Sequence, residues 1–273
     1  KGSLKLKKLA NLSSIKDQYD TFIIDLWGVM HNGIKLNIGA IEAVDKLILN
    51  KKKVVFLSNA PRPVDDVIKF LKKLNMQEKY LHNIVTSGQA AMLALQNNIY
   101  GKSYYHLGPE KDNSLFSKIE TNKAELDKSE FIVCTGLFED KMNDLDFYKN
   151  ILSNQTSKKL ICTNPDLIVE RGKEQEYCAG MIAKIFEELG GEVIYFGKPH
   201  KEIYQMCFTK NEKAIAVGDN LRTDIKGANN MNIDSIFIGS GVHSAEFKNE
   251  KELYSLEKKY KIKLNYFQDY FHW

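Results

Sequence analysis

The chain has 273 residues, 43% apolar and 27% charged, and a formal net charge of +4 from 39 basic and 35 acidic side chains. That length exceeds the usual single core and predicts two domains, and the composition is that of an ordinary soluble globular protein. A mild excess of lysines spread over helical segments argues against a nucleic-acid-binding stripe, and no segment approaches the roughly 20 apolar residues of a membrane span.

The predicted strands, in chain order, are the apolar runs at 22–26, 54–58, 84–86, 104–107, 131–135, 160–163, 193–196, 214–217 and 235–238. Helical spacing fills the gaps. Ile41, Val44, Leu47 and Ile48 share one face, Val67, Ile68, Leu71 and Leu74 a second, and Met181, Ile182, Ile185, Phe186 and Leu189 a third. Helix stops are expected near Asn75 and at Gly190-Gly191. Alternation of strand and helix predicts an α/β fold built on a doubly wound parallel sheet. Cys134 and Cys162 sit in apolar runs as small hydrophobes, and with Cys178 and Cys207 they show no CxxC spacing. No zinc site or disulfide framework is expected, and the compartment is a reducing one. Residues 1–15 are basic but lack the apolar core of a signal peptide, so a cytoplasmic location is expected.

Chemistry-bearing residues cluster at strand ends. The run Phe22-Ile23-Ile24 delivers Asp25 into a turn at Gly28, the strand at 54–58 ends in Ser58-Asn59, and that at 214–217 ends in Gly218-Asp219-Asn220. The strand at 193–196, read as a fourth member of the same sheet, runs into Gly197-Lys198-Pro199. In a parallel sheet these ends converge on one crevice. Two lie before residue 90 and two after 190, so residues 1–90 and 190–273 form one core and 91–189 an inserted α/β unit. Asp25 and Asp219, with Asp224 behind them, repel one another unless a proton or cation intervenes, and Mg²⁺ suits such an oxygen site. Ser58 and the amides around Asn59 offer donors to a phosphate, and Lys198 offers a positive charge.

The set Asp25-Leu26-Trp27-Gly28-Val29, Leu57-Ser58-Asn59, Thr163-Asn164-Pro165-Asp166, Gly197-Lys198-Pro199 and Gly218 through Asp224 resembles the haloacid dehalogenase superfamily. It is most similar to the class IIA subgroup of NagD-like and 4-nitrophenylphosphatase-like phosphatases, over about residues 19–242. The resemblance implies a Rossmann-like core with an inserted C2-type cap, and a Mg²⁺-dependent phosphatase of a small phosphorylated metabolite, a sugar phosphate or a nucleotide. It makes Asp25 the nucleophile that forms an aspartyl-phosphate. Asp25, the Trp27 backbone carbonyl and Asp219 would hold Mg²⁺, with Asp224 and Asn220 behind them. Ser58, Asn59 and Lys198 would bind the phosphoryl group, Lys198 also taking part in catalysis, and the cap loop with Asn164 and Asp166 would lean over the leaving group. Family analogy adds a homodimer formed through the cap; neither a nucleic acid nor a membrane partner is implied.

Trp27 departs from the pattern, since most such phosphatases carry there an aspartate that protonates the leaving oxygen. A subgroup with tryptophan in this slot and a following Gly-Val-x-His looks similar. General acid–base help is worth about 10²–10⁴ in rate, so an alternative reading is a catalytically impaired protein that binds a phosphorylated ligand or a protein partner. Trp27 itself reads as an aromatic filling the site mouth, or as a platform for a planar leaving group. His31 reads as a solvent-exposed turn residue before Asn32-Gly33, with replacement acid–base its sharper alternative. His200 reads as a helix start. Glu170, Arg171 and Tyr177 are candidates for reading the substrate.

Overall fold

The computed structural model describes residues 5–273; the first four, part of the basic N-terminal stretch and of the expected first core segment, lie outside the described residues. The elements in the first third are β1 (Lys7–Lys8), β2 (Thr21–Ile24), α1 (Ile38–Leu49), β3 (Lys53–Ser58), α2 (Val64–Lys73), β4 (Ile84–Thr86) and α3 (Ser87–Gln96). The middle carries β5 (Tyr104–Leu107), β6 (Phe131–Cys134), α4 (Leu145–Leu152), β7 (Lys159–Cys162), β8 (Ile168–Arg171), β9 (Glu174–Tyr177), α5 (Ala179–Glu188) and β10 (Glu192–Tyr195). Then follow α6 (Lys201–Tyr204), β11 (Ala214–Gly218), α7 (Lys226–Asn230), β12 (Asp234–Ile238), α8 (Glu250–Tyr260) and β13 (Tyr266–Gln268).

Seven strands form a parallel sheet in the order β1-β13-β12-β11-β2-β3-β4. From β2 the chain winds outward through β3 and β4, and from β11 it winds the other way through β12 and β13. The β2–β11 border is therefore the switch point, where the ends of neighbouring strands open a crevice. Phe22 and Ile24 on β2, Phe56 on β3 and Val217 on β11 are all but fully buried between the helical layers. Each such side chain contributes roughly 1.5–3 kcal/mol of burial free energy. Val44 and Leu47 of α1 and Val67 and Leu71 of α2 cover one side of this core, as their spacing predicts. Asn75 takes positive φ just beyond α2, and Gly190 does so just beyond α5, where both helix stops were expected.

A second parallel sheet, β10-β7-β6-β5, is built wholly from the middle of the chain, with the antiparallel pair β8–β9 beside it. The expectation that 193–196 belongs to the larger sheet is corrected: β10 pairs with β7 in register from Glu192 with Lys159 to Tyr195 with Cys162. The reason is the crossover. Helix α5 packs on β7 and β10, so the short strand after it closes the smaller sheet, and only the segment beyond Tyr195 returns to the core. All four cysteines are free and buried. Among the described residues no helix is long and apolar enough to cross a membrane.

Candidate active site

Asp25 stands one residue past β2, and its backbone N–H donates to Val217 O at 2.9 Å, which extends the β2–β11 ladder to the carboxyl edge of the sheet. Gly28 turns the chain away with φ +92, and a Cβ there would collide with the carboxylate of Asp219. Only glycine therefore lets the loop after β2 lie against the loop after β11. Asp25, Asp219 and Asp224 each bring a carboxylate oxygen into a group within 4.8 Å. Asp224 is held by a π-helical turn, Leu221–Ile225, whose first residue is preceded by Asn220; the Asn220 side chain accepts from Arg222 N at 2.9 Å. The Asp219 carboxylate accepts from Val242 N at 3.0 Å.

Lys198 enters this group from the β10–α6 connection and is 3% exposed. Its ammonium donates to Asp25 Oδ1 at 3.1 Å, Asp224 Oδ1 at 2.7 Å and Leu57 O at 2.7 Å. All its donors are thus engaged, and what it offers an incoming phosphate is charge. Burial, followed by Asp224, pushes the Asp25 carboxyl well above the usual range in spite of Lys198. Burial and Asp224 likewise push Asp219 up to about 7. Three close carboxylates facing one lysine are short of positive charge. An all-oxygen donor set of this kind fits a hard divalent cation.

The other expected residues are brought to the same place, with different tasks. Ser58 Oγ accepts from Ala60 N at 3.1 Å, which leaves its hydrogen for a ligand. Asn59 uses its whole side chain on the protein: Nδ2 donates to Lys198 O and Asp166 Oδ1, both at 3.0 Å, and Oδ1 accepts from Lys198 N at 2.9 Å. Its position offers a phosphate backbone rather than amide side chain. Asn164 Oδ1 accepts from Asp166 N at 3.1 Å and shapes the loop that carries Asp166. Burial raises the Asp166 carboxyl, with Lys198 opposing.

Trp27 does not face the reacting groups with a proton to give. Its Nε1–H donates to Glu170 O on β8 at 2.6 Å, its ring stacks on Phe70 at 6.1 Å, and the Arg171 guanidinium lies 4.7 Å from the ring centre. Gly33 belongs to the same contact: its φ is +88, and a Cβ would come within 2.6 Å of the indole. Trp27 thus fills the mouth and joins the core loop to the β8–β9 hairpin, where Glu170 and Arg171 are engaged with it. Tyr177, at the end of β9, lines a cavity with Asp25. His31 corrects the expectation of an exposed residue. It is 2% exposed, packed against both Trp27 and Phe70, and its Nδ1 accepts from Gly33 N at 3.0 Å. Burial and then Arg171 push its pKa down to about 4, so it is neutral near pH 7 and holds no imidazolium proton to donate. His200 precedes α6 and stacks on Tyr195, as a helix-start residue.

Sequence reasoning missed Arg62, Asp112 and Thr135, which line a cavity of about 490 Å³ together with Asp25, Ser58 and Asp166. A signal was there. Gly108-Pro109-Glu110-Lys111-Asp112 follows β5 as Asp25 follows β2, a charged turn at the carboxyl end of a parallel strand.

The profile described as haloacid dehalogenase-like hydrolase matches residues 22–122, and one described as HAD-hydrolase-like matches 195–260. The acid sugar phosphatase of Staphylococcus haemolyticus is 25% identical over 247 residues, covering 86% of this chain and 90% of that protein. A solved haloacid dehalogenase-like hydrolase from Brucella suis 1330 superposes with TM-score 0.80 at 28% identity, over 89% of this chain and 95% of that one. A glycerol phosphate phosphatase from Mycobacterium tuberculosis, solved in complex with magnesium, shares the fold with TM-score 0.61 at 22% identity, over 84% of this chain and 70% of that one. The two profiles fall on the two segments that supply Asp25, Ser58, Lys198 and Asp219, and the relatives span the sheets between them. The chain belongs to the haloacid dehalogenase superfamily of hydrolases, among relatives that are phosphatases.

Proposed function

We propose that this protein is a Mg²⁺-dependent phosphatase of the NagD-like class IIA type, acting on a small phosphorylated metabolite such as a sugar phosphate. The observation that carries the reading is the Asp25–Lys198–Asp224 chain of contacts with Asp219 beside it, at the switch point of the larger sheet. Asp25, the Trp27 carbonyl and Asp219 would hold the ion, with Asp224 and Asn220 behind them, and the bound ion would supply charge neutralisation for the phosphoryl oxygens. Lys198 orients Asp25 by donating to its Oδ1 and opposes its protonation, and the ion's charge would add to that opposition. The other carboxylate oxygen attacks phosphorus, the ester oxygen leaves, and water then cleaves the aspartyl-phosphate. Ser58 donates to a phosphoryl oxygen. The middle of the chain serves as the cap, reaching as far as β10 by its sheet membership, and closes the site from water. A cytoplasmic location, from the cysteine pattern and the N-terminal stretch, and a cap-mediated homodimer, by family analogy, belong to this proposal.

A second reading has its own observation. The Trp27 side chain is engaged with Glu170, Phe70 and Arg171 and delivers no proton, which favours an impaired member that binds a phosphorylated ligand or a protein partner. The two are separated by p-nitrophenyl phosphate, whose leaving group needs little protonation. The expected outcome is Mg²⁺-dependent hydrolysis that falls at least about 10⁴-fold in Asp25→Asn, the scale of losing a nucleophile. Hydrolysis retained in Asp25→Asn removes Asp25 from its role. No hydrolysis by the unaltered protein, with phosphate still raising its melting temperature, selects the binding reading.

A further inference from the structure

The turn that carries Asp224 begins with two backbone amides whose partners differ. Asn220 N donates to Asp224 Oδ2 at 3.1 Å, inside the group of carboxylates. Leu221 N donates at 3.0 Å to Nε2 of His243, a side chain from the loop after β12. His243 is buried, and its other ring nitrogen meets the carboxylate of Glu246. These two contacts fix the state of the ring. Nε2 accepts, so it carries no proton, and Nδ1 holds the single one and donates it to Glu246. Glu246 is ionised for this task. Burial opposes, but Lys259, Tyr260 and His243 together bring its carboxyl down to about 2, with Lys259 Nζ donating at 2.7 Å. Burial also lowers the pKa of His243, with Glu246 opposing, which keeps the ring neutral. The residue before it is Val242, whose N–H donates to Asp219 Oδ2. One short segment therefore grips both Asp219 and the turn that presents Asp224.

We propose that His243 is a positioning residue of the ion site: with its proton fixed on Nδ1 by Glu246, the ring accepts from Leu221 N and holds the turn in the shape that lets Asp219 and Asp224 act on one cation. The inference rests on the proposed function for what those carboxylates hold. The opposite tautomer would aim an N–H at the Leu221 N–H and leave that buried amide without an acceptor at the first residue of the turn. Glu246 excludes it, because an ionised carboxylate offers no proton to Nδ1. Lys259 and Tyr260 in turn hold Glu246 in place, so the loop after β12 and helix α8 both bear on the turn after β11. His243, Glu246, Lys259 and Tyr260 line a cavity of about 710 Å³ that Asp25 does not line. The ring thus acts through the turn and not by touching a reacting atom, in the way that residues behind metal ligands orient them.

The test has two arms, and the first needs no variant. Proton–nitrogen NMR of the imidazoles in the unaltered protein is expected to show His243 protonated on Nδ1 and bare on Nε2 near pH 7. A proton on Nε2 overturns the inference. The second arm is Mg²⁺ binding by titration calorimetry without substrate, in two polar variants that differ in reach. His243→Gln can place an amide oxygen near the position of Nε2, whereas the shorter side chain of His243→Asn reaches only the position of Nδ1. Loss of a group that orients metal ligands costs about tenfold or more in metal affinity. His243→Asn is expected to bind Mg²⁺ at least about tenfold more weakly than the unaltered protein, and His243→Gln to stay within about threefold of it. Unchanged affinity in His243→Asn overturns the inference, and so does an equal loss in both variants. Turnover of p-nitrophenyl phosphate by the unaltered protein is scored separately. Turnover with Mg²⁺ binding that ignores position 243 leaves the phosphatase reading and removes the role of His243. Mg²⁺ binding that follows the reach of residue 243, without turnover, does the reverse.

Discussion

Asp224 and Asp112 are buried alike, 3% and 1% exposed, yet their surroundings treat them in opposite ways. Asp224 accepts from Lys198 through one oxygen and from Asn220 N through the other. Asp112 has one oxygen without a donor. The first group of residues is complete before any ligand arrives, which is what a preorganised reacting centre requires. The second is incomplete, and an acceptor buried without a donor costs stability. Equal burial thus has opposite consequences at the two places: the partners at the switch point offset its cost, and at Asp112 the cost stands.

The largest effect expected on the fold comes from breaking the complete side. Lys198→Met keeps the side-chain length and removes, among the described residues, the only cation hydrogen-bonded to both Asp25 and Asp224. Uncompensated buried charge of this kind costs about 3–5 kcal/mol. Urea unfolding without Mg²⁺ measures it. A loss under about 1 kcal/mol would mean that the carboxylates are already protonated and that Lys198 does not hold them.

The incomplete side predicts a change of opposite sign. The Asp112 carboxyl is raised from 3.8 to about 6 in the folded protein, so the folded state holds its proton more tightly than the unfolded chain. The ionised form therefore destabilises the fold. That cost is complete above about pH 6, shrinks as pH falls through it, and is gone below about pH 3.8. A shift of about two units corresponds to about 3 kcal/mol. Asp112→Asn, which cannot ionise, is expected to gain up to that amount at pH 7 and little at pH 4, read from urea midpoints across that range. A loss of stability at pH 7 would show that Asp112 is satisfied in solution and that its unpaired oxygen carries no cost.

How much of this was legible in the chain follows from the same division. The convergence of Asp25, Ser58 and Asp219 was, because these residues stand at the ends of apolar runs: Phe22-Ile23-Ile24 before Asp25, Phe56-Leu57 before Ser58, Ile215-Ala216-Val217 before Asp219. Burial on both faces of a parallel strand writes itself as an apolar run, and the polar residue that ends it is conspicuous. Strand β10 was found but assigned to the wrong sheet, since the residues of a four-residue strand do not say which neighbour they pair with. The β8–β9 hairpin was missed. Ile168-Val169-Glu170-Arg171 and Glu174-Gln175-Glu176-Tyr177 are charged and half exposed, and they gain their place from contacts with the loop after β2. Asp112 was missed because its importance lies in what it lacks. An absent hydrogen bond is a property of packing, with no local pattern in sequence.

Trp27 sits between the two regions and gives the smallest and most specific effect. It stands two residues past Asp25, yet its contacts run to the hairpin: Nε1–H to Glu170 O, and the ring beneath Arg171, which also donates to Gly33 O at 3.4 Å. Gly172 N donates to Asn32 O at 3.0 Å in the same junction. Trp27→Phe keeps an aromatic ring against Phe70 and Arg171 and removes only the N–H. The loss of one hydrogen bond predicts about 1 kcal/mol, concentrated where its acceptor lies. Amide hydrogen exchange at residues 168–177 is therefore expected to quicken by about fivefold, while amides of β2, β3 and β11 keep their protection. Were the hairpin's exchange unaltered, Arg171 and Gly172 alone would hold it, and Trp27 would be filling the mouth without fastening it. Were the strands of the larger sheet to quicken equally, the indole would belong to the core's stability, and the separation of the larger sheet from the hairpin would fail at the residue where the two meet.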